Sequence, residues 1–165
     1  MNVQIVQREA ITYAGMSYYG PLTGEGWSSE NPISQLWQRF NRFFDDTPAF
    51  SQEQAANPGI GYEISIWSED ELQESKSFYV FVGVEVHDLA GIHPKLVGKV
   101  LPATTYAAFR TTLPSIGQTF DHAYQKWLPQ SDYQGTGGPD LELYDEEFDP
   151  AVPESTFEIL IPIAK

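Results

Sequence analysis

A chain of 165 residues that is 41% hydrophobic and 14% aromatic can bury a core, which excludes global disorder. Its 9 basic and 23 acidic residues give a formal net charge of −14, a surface that repels nucleic acid and anionic membranes and attracts cations. No cysteine is present, so disulfides and thiolate metal sites are excluded, and no run reaches the roughly 18 apolar residues that a membrane helix needs.

The opening residues, Met1-Asn2-Val3-Gln4-Ile5, lack the basic stretch and apolar core of a signal peptide, and the expectation is a cytoplasmic protein. Residues 3–6 and 10–16 read as strands. Residues 20–27, rich in glycine and followed by Ser28-Ser29, read as a connector or a mobile cover. Asn31 can cap a helix that Pro32 opens, because proline's missing N–H has no partner in a first turn anyway. Ile33, Leu36, Trp37, Phe40, Phe43 and Phe44 recur at three- and four-residue spacing and give that helix one broad apolar face. Asp45-Asp46-Thr47-Pro48 ends it.

Strands follow at 62–66 and 78–84, then a joint at 87–94, then strands at 96–101 and 103–109. A second amphipathic helix starts near Pro114-Ser115, with Ile116, Phe120, Ala123, Tyr124, Trp127 and Leu128 on its apolar face, and Pro129 is expected to stop it. Strands at 141–145 and 157–163 close the chain. The order of elements is therefore repeated. Ala10-x-Thr12-Tyr13-Ala14-x-Met16 before the first helix answers Ala103-x-Thr105-Tyr106-Ala107-x-Phe109 before the second. Glu63 and Glu142 are separated by the same stretch of chain as Phe78 and Phe157. The reading is an α+β fold of tandem β-α-β-β modules, about 1–90 and 91–165, forming one domain over 1–165. The modules are expected to pair about a pseudo-twofold axis, with antiparallel sheets, two helices and a central ligand cleft at their seam.

The second half resembles the GyrI-like, or AraC-type effector-binding, domain found in multidrug-sensing transcription regulators and as single-domain proteins. The matching stretches are residues 100–109, Trp127-Leu128-Pro129-Gln130-Ser131-Asp132-Tyr133, residues 139–150 and residues 158–163. In the first half, Gly61-Tyr62 and residues 78–86 correspond, so the resemblance covers nearly the whole chain. Thr104 departs from it, since the family usually has glycine before the threonine and tyrosine. The resemblance implies a cleft that holds lipophilic cations between aromatic rings. It also implies that the buried Glu of the Asp-x-Glu-x-Tyr stretch, Glu142 here, is the anionic contact. Regulators of this family carry a helix-turn-helix; this chain is expected to be a stand-alone member that does not bind DNA itself, with a transcription regulator or another protein as a partner.

On a strand, Glu142 opposes Leu141 and Leu143 and shares a face with Tyr144. If the leucines face the helix layer, Glu142 and Tyr144 face solvent or the cleft; alternation alone favours solvent, and the resemblance favours the cleft. Glu63 is the repeat counterpart of Glu142, and a solvated strand position is its plainer reading. Glu85 shares a strand face with Tyr79 and Phe81. Tyr106, Tyr144, Trp67, Tyr79, Phe81 and Trp127 are candidate aromatic walls, while Trp37, Phe40, Phe43 and Phe120 are left in the core by their helical spacing.

His87, His93 and His122 form no metal pattern, Gly135-Thr136-Gly137-Gly138 reads as a loop tip rather than a phosphate loop, and no cofactor is expected. The leading function is binding of lipophilic cationic small molecules rather than catalysis. The alternatives are a hydrolase of reactive cyclopropane-type compounds, with Glu142 and a tyrosine orienting water, and a protein-binding gyrase inhibitor.

Overall fold

A computed structural model describes residues 2–23, 28 and 30–165. The cover expected over residues 20–27 therefore lies, from Gly24 onward, outside the described residues. The chain forms β1 (Val3–Arg8), β2 (Ile11–Pro21), α1 (Pro32–Asp46), a π-helical turn (Ala49–Gln54), β3 (Gly61–Ile66), α2 (Glu69–Glu74) and β4 (Ser77–Glu85). Then come β5 (Val97–Leu101), β6 (Thr104–Thr112), α3 (Ile116–His122), a second π-helical turn (Ala123–Trp127), α4 (Leu128–Gln130), β7 (Gln134–Gly135), β8 (Asp140–Tyr144) and β9 (Thr156–Ala164). This is the α+β class, with antiparallel strands and few helices.

The capping chemistry of α1 works as its sequence dictates. Asn31 Oδ1 accepts from the backbone N–H of Ile33 at 2.9 Å and of Ser34 at 3.4 Å, with Pro32 in the first turn. The second helix is less regular than expected. Pro129 does not stop it; α4 runs on to Gln130 before Ser131 turns to extended backbone. The preceding π turn, in which Leu128 N–H donates to Ala123 O, already breaks the usual ladder, so the missing proline donor interrupts no regular bond. The short α2 was not foreseen, although its signal is legible: Ser68 Oγ accepts from Glu71 N–H at 3.5 Å, a Ser-x-x-Glu helix start.

The chain divides into two compact units, residues 12–100 and residues 1–11 with 101–165. In the first the strand order is β3-β4-β2-β5; in the second it is β1-β6-β9-β8, with β7 also on β9. Modules of about 1–90 and 91–165 are not the units observed. β1 pairs with β6 and not with β2, which follows it, and β5 lies beside β2 and not in the unit of β6. Each half of the sequence thus contributes its first strand to the unit built by the other. The connectors explain this. Glu9-Ala10 and Pro102-Ala103 contain no residue of positive φ, so neither makes the tight primed turn that folds successive strands into a two-residue hairpin.

The repeat is visible in the register, with one adjustment. Ala14 lies opposite Val84, and Ala107 lies opposite Ile161, so Val84 and Ile161 are equivalent. Glu63 then faces Val82, and Glu142 faces Ile159, which stand in equivalent places. Glu63 and Glu142 are therefore true counterparts. The last strand, however, has slid by two residues: Phe157, opposite Thr111, occupies the place of Val80, opposite Tyr18, rather than that of Phe78. An even slip keeps every side chain on its face, which is why equal spacing in sequence still paired the right faces.

In the first unit, Leu36, Phe40 and Phe43 of α1 pack on Ala14, Val80, Val82 and Val84. Each such buried side chain stabilises by about 1.5–3 kcal/mol relative to exposure. In the second, the Phe109 ring meets His122 and Trp127 edge-on, with centroids 6.3 and 5.5 Å away, and Thr111 and Thr119 share a hydroxyl bond of 2.8 Å beneath α3. Among the described residues no helix is long and apolar enough to cross a membrane.

Gly15 and Gly83 lie opposite each other on β2 and β4, and a Cβ on Gly83 would stand 2.3 Å from Ala14 O. Gly83→Ala is expected to destabilise the fold by about 1–3 kcal/mol, read as a lower urea midpoint with unchanged slope.

Candidate functional site

The strand alternation around Glu142, which sequence left conditional on where Leu141 and Leu143 face, is resolved by the register. Glu142 and Phe109 both lie opposite Ile159, so the three share a face, and Phe109 packs on His122 and Trp127 of the helical segment. Tyr144 continues that face. Its ring stacks on Phe157, centroids 4.7 Å apart, and Phe157 lies opposite Thr111, which bonds to Thr119 of α3. Leu141 lies instead on the opposite face with Leu160 and Ala108. Sequence could not decide this because β8 is buried on both sides: Leu141 is 1% exposed and Glu142 6%.

Glu142 is held by its own strand. The Tyr144 hydroxyl, two residues along, donates to Glu142 Oε2. Phe148 completes an aromatic cluster there, its ring 4.7 Å from Tyr144 and 5.4 Å from Phe157. Trp127, half-buried on the same face through Phe109, stacks on Tyr133 at 6.2 Å. The neighbouring Asp140 is also buried and accepts from the Tyr124 hydroxyl at 2.5 Å. Burial, reinforced by the charge of Asp140 and this bond, pushes the Tyr124 phenol well above its ordinary range.

The equivalent acid in the other unit is held differently. Glu63 lies opposite Val82, which packs under α1, and Trp37 Nε1–H donates to Glu63 Oε2 at 2.8 Å. Glu63 is 5% exposed, not a solvated strand residue. Burial pushes its carboxyl up to about 7, and the Trp37 bond only partly opposes this. Trp37 is the partner of Glu63 that periodicity concealed: its helical spacing is that of a core residue, and nothing in a single sequence reports that its N–H meets an acid. Trp67, 47% exposed, stacks on Phe78 at 4.5 Å near the end of the strand that carries Glu63.

The other candidates fall elsewhere. Phe81, buried, and Tyr79 alternate with Val80 and Val82, so they face away from α1 and from Glu63. Tyr79 is exposed and packs on Tyr19 at 4.4 Å. Glu85 is half-buried opposite Tyr13. Tyr106 is buried opposite Pro162, on the other side of β6 from Phe109, and burial raises its phenol despite the nearby Arg8 charge. Among the described residues no group of three or more His, Asp or Glu could hold a metal ion.

Each unit thus buries acidic side chains beneath its helical layer, Glu63 in one and Asp140 and Glu142 in the other, each with an aromatic N–H or O–H as donor. Burying a carboxyl is costly unless donors meet it, and these aromatic donors supply part of that requirement.

The sequence pattern of the GyrI-like small molecule binding domain matches residues 1–164. The transcriptional regulator BrlR of Pseudomonas aeruginosa is 29% identical over 166 residues, covering 99% of this chain and 56% of BrlR, so the chain spans about half the length of that relative. Among solved structures, SAV2435 bound to tetraphenylphosphonium superposes with a TM-score of 0.70 at 19% identity, covering 99% of this chain and 94% of that one. A transcription regulation protein from Staphylococcus aureus MU50 superposes at 0.68 with 15% identity, covering 100% and 99%. At these identities the structural likenesses establish the fold.

Two outcomes follow from the acids. The carboxyl of Glu63 titrates near 4.5 when unfolded and about 7 when folded. Its contribution is therefore complete below the lower value and is lost as pH rises through the higher one. Glu63→Gln, which keeps an acceptor for Trp37, should be more stable than wild type at pH 8 by about 3 kcal/mol, with most of that gain gone at pH 5; urea unfolding at both pH values measures it. Tyr144→Phe removes a donor from buried Glu142 and should cost about 1–3 kcal/mol at pH 7 in the same assay.

Proposed function

The chain belongs to the GyrI-like small-molecule-binding domain family, and from that premise we propose that its ligands are lipophilic cations for which Glu142 is the anionic contact. The observation that carries this reading is the placement of Glu142, 6% exposed, on the helix-covered face of its sheet beside the rings of Tyr144, Phe148 and Phe157. A quaternary phosphonium or ammonium cannot donate a hydrogen bond, so a carboxylate and π faces are the groups that recognise it. That chemistry reads charge and bulk rather than a fixed hydrogen-bond pattern, and it suits a binder of several related compounds. The ligand of SAV2435, tetraphenylphosphonium, is of this class, and a chain of net charge −14 favours its approach.

The role proposed for Glu142 differs from that of Glu63. Glu63 is half protonated near neutral pH and accepts from Trp37 of the helix above it, so it is not a fully ionised contact there. Tryptophan fluorescence gives a direct readout, because Trp127 lies on the face that carries Glu142.

Titration of the protein with tetraphenylphosphonium should quench tryptophan emission saturably, and Glu142→Gln should raise Kd at least about tenfold, since a charge-assisted contact is lost. An unchanged Kd in that variant removes Glu142 from this role, and wild-type protein that does not bind the cation overturns the reading.

A further inference from the structure

A separate cleft of about 570 Å3 opens in the unit of residues 12–100, beside the C-terminal half of α1 and the strands β2 and β5. Its charge is opposite to that of the chain. Arg39 and Arg42, three residues apart on one helix face, line it together with Lys95 from the segment before β5. These are a third of the chain's 9 Lys and Arg residues, gathered in a protein with 23 acids. None of the three side chains has a carboxylate within ion-pair distance among the described residues, although Asp46 also lines the cleft.

Like charges on adjacent helix positions repel, and a chain rich in acids could have paired them at no cost in composition. The floor between them is apolar, made by Met16, Phe43 and Val97. His93 fixes the rim: its ring stands edge-on to Phe43 at 5.0 Å, and its Nδ1 accepts from the Lys95 backbone N–H at 3.1 Å. That bond leaves the proton of a neutral ring on Nε2, a further donor for an anion.

We propose that this cleft is a second ligand site, for small organic anions. A carboxylate or phosphate lies on Arg39, Arg42 and Lys95, and the apolar body rests on Phe43, Met16 and Val97. Guanidinium groups match either head group with paired N–H donors, which a lysine alone does not. The cleft volume falls in the range of small-molecule pockets, about 300–1,000 Å3. The site uses none of the residues assigned to cation binding, so the two readings stand or fall separately. A domain with both would bind ligands of opposite charge in different places.

The test uses naphthalene-2-carboxylate, 2-naphthyl phosphate, uncharged naphthalene-2-carboxamide and inorganic phosphate, each titrated calorimetrically against the intact chain. At least one naphthyl anion should bind at least about tenfold more tightly than the carboxamide, and the tighter of the two identifies the preferred head group. The double variant Arg39→Gln, Arg42→Gln should lose that preference while keeping its wild-type melting temperature and its response to tetraphenylphosphonium. Glu142→Gln should leave anion binding unchanged. Should the double variant fail to fold, Lys95→Gln takes its place, with the same loss expected. Equal affinity for anion and carboxamide, or anion binding untouched by the variants, overturns the proposal. So does inorganic phosphate binding as tightly as naphthyl phosphate, since the apolar floor would then play no part.

Discussion

The carboxyl of Glu63 is buried beneath α1, and it is tolerated there because Trp37 Nε1 reaches down from the helix to donate to it. Much else is constrained by that contact. It ties the helix to β3, and it places the acid opposite Val82, in the row where Leu36 and Phe40 cover the sheet. The counterpart, Glu142, occupies the equivalent row of the other unit but is held by Tyr144 of its own strand. A buried carboxyl must have donors, and each half of the chain has met that requirement in its own way. The equivalence is therefore one of position, and the donors differ: Trp37 of α1 for Glu63, Tyr144 of the same strand for Glu142.

The exchange of first strands shapes how the units are built. β1 completes the sheet of β6, β9 and β8, and β5 completes that of β3, β4 and β2. Connectors as short as Glu9-Ala10 and Pro102-Ala103 would fold a strand back on its successor if they contained glycine or asparagine at positive φ, and neither does. The two-residue slide of β9 is tolerated for a related reason. Side chains alternate with period two, so Phe157 can take Val80's place without any residue changing faces.

Electrostatics divides the surface more finely than net charge suggests. The acids are many and mostly exposed, but Glu63, Asp140 and Glu142 are buried, and burial raises the carboxyl of Glu63. Against that acidic background, Arg39, Arg42 and Lys95 form a local reversal beside α1. One unit therefore presents two chemically opposed positions close to the same helix: a buried acid on its Trp37 side and an exposed basic cleft near its C-terminal half.

The sequence by itself determined the order of the longer strands and of the two main helical segments, the cap of α1, the equivalence of Glu63 and Glu142, and the class of fold, because these follow from local periodicity, turn chemistry and internal repetition. It singled out Glu142 only with the help of family resemblance, since an acid alternating with leucines is ordinary on a half-exposed strand. Tertiary structure alone decided which face of β8 lies under the helix, for both faces are buried and alternation cannot name the covered one. It alone moved Phe81 and Tyr79 away from Glu63, took Trp37 out of the plain core to bind an acid, and brought Lys95 to Arg39 and Arg42. Periodicity reports which residues share a face; what that face meets is fixed by contacts between segments far apart in the chain, and no local pattern carries them.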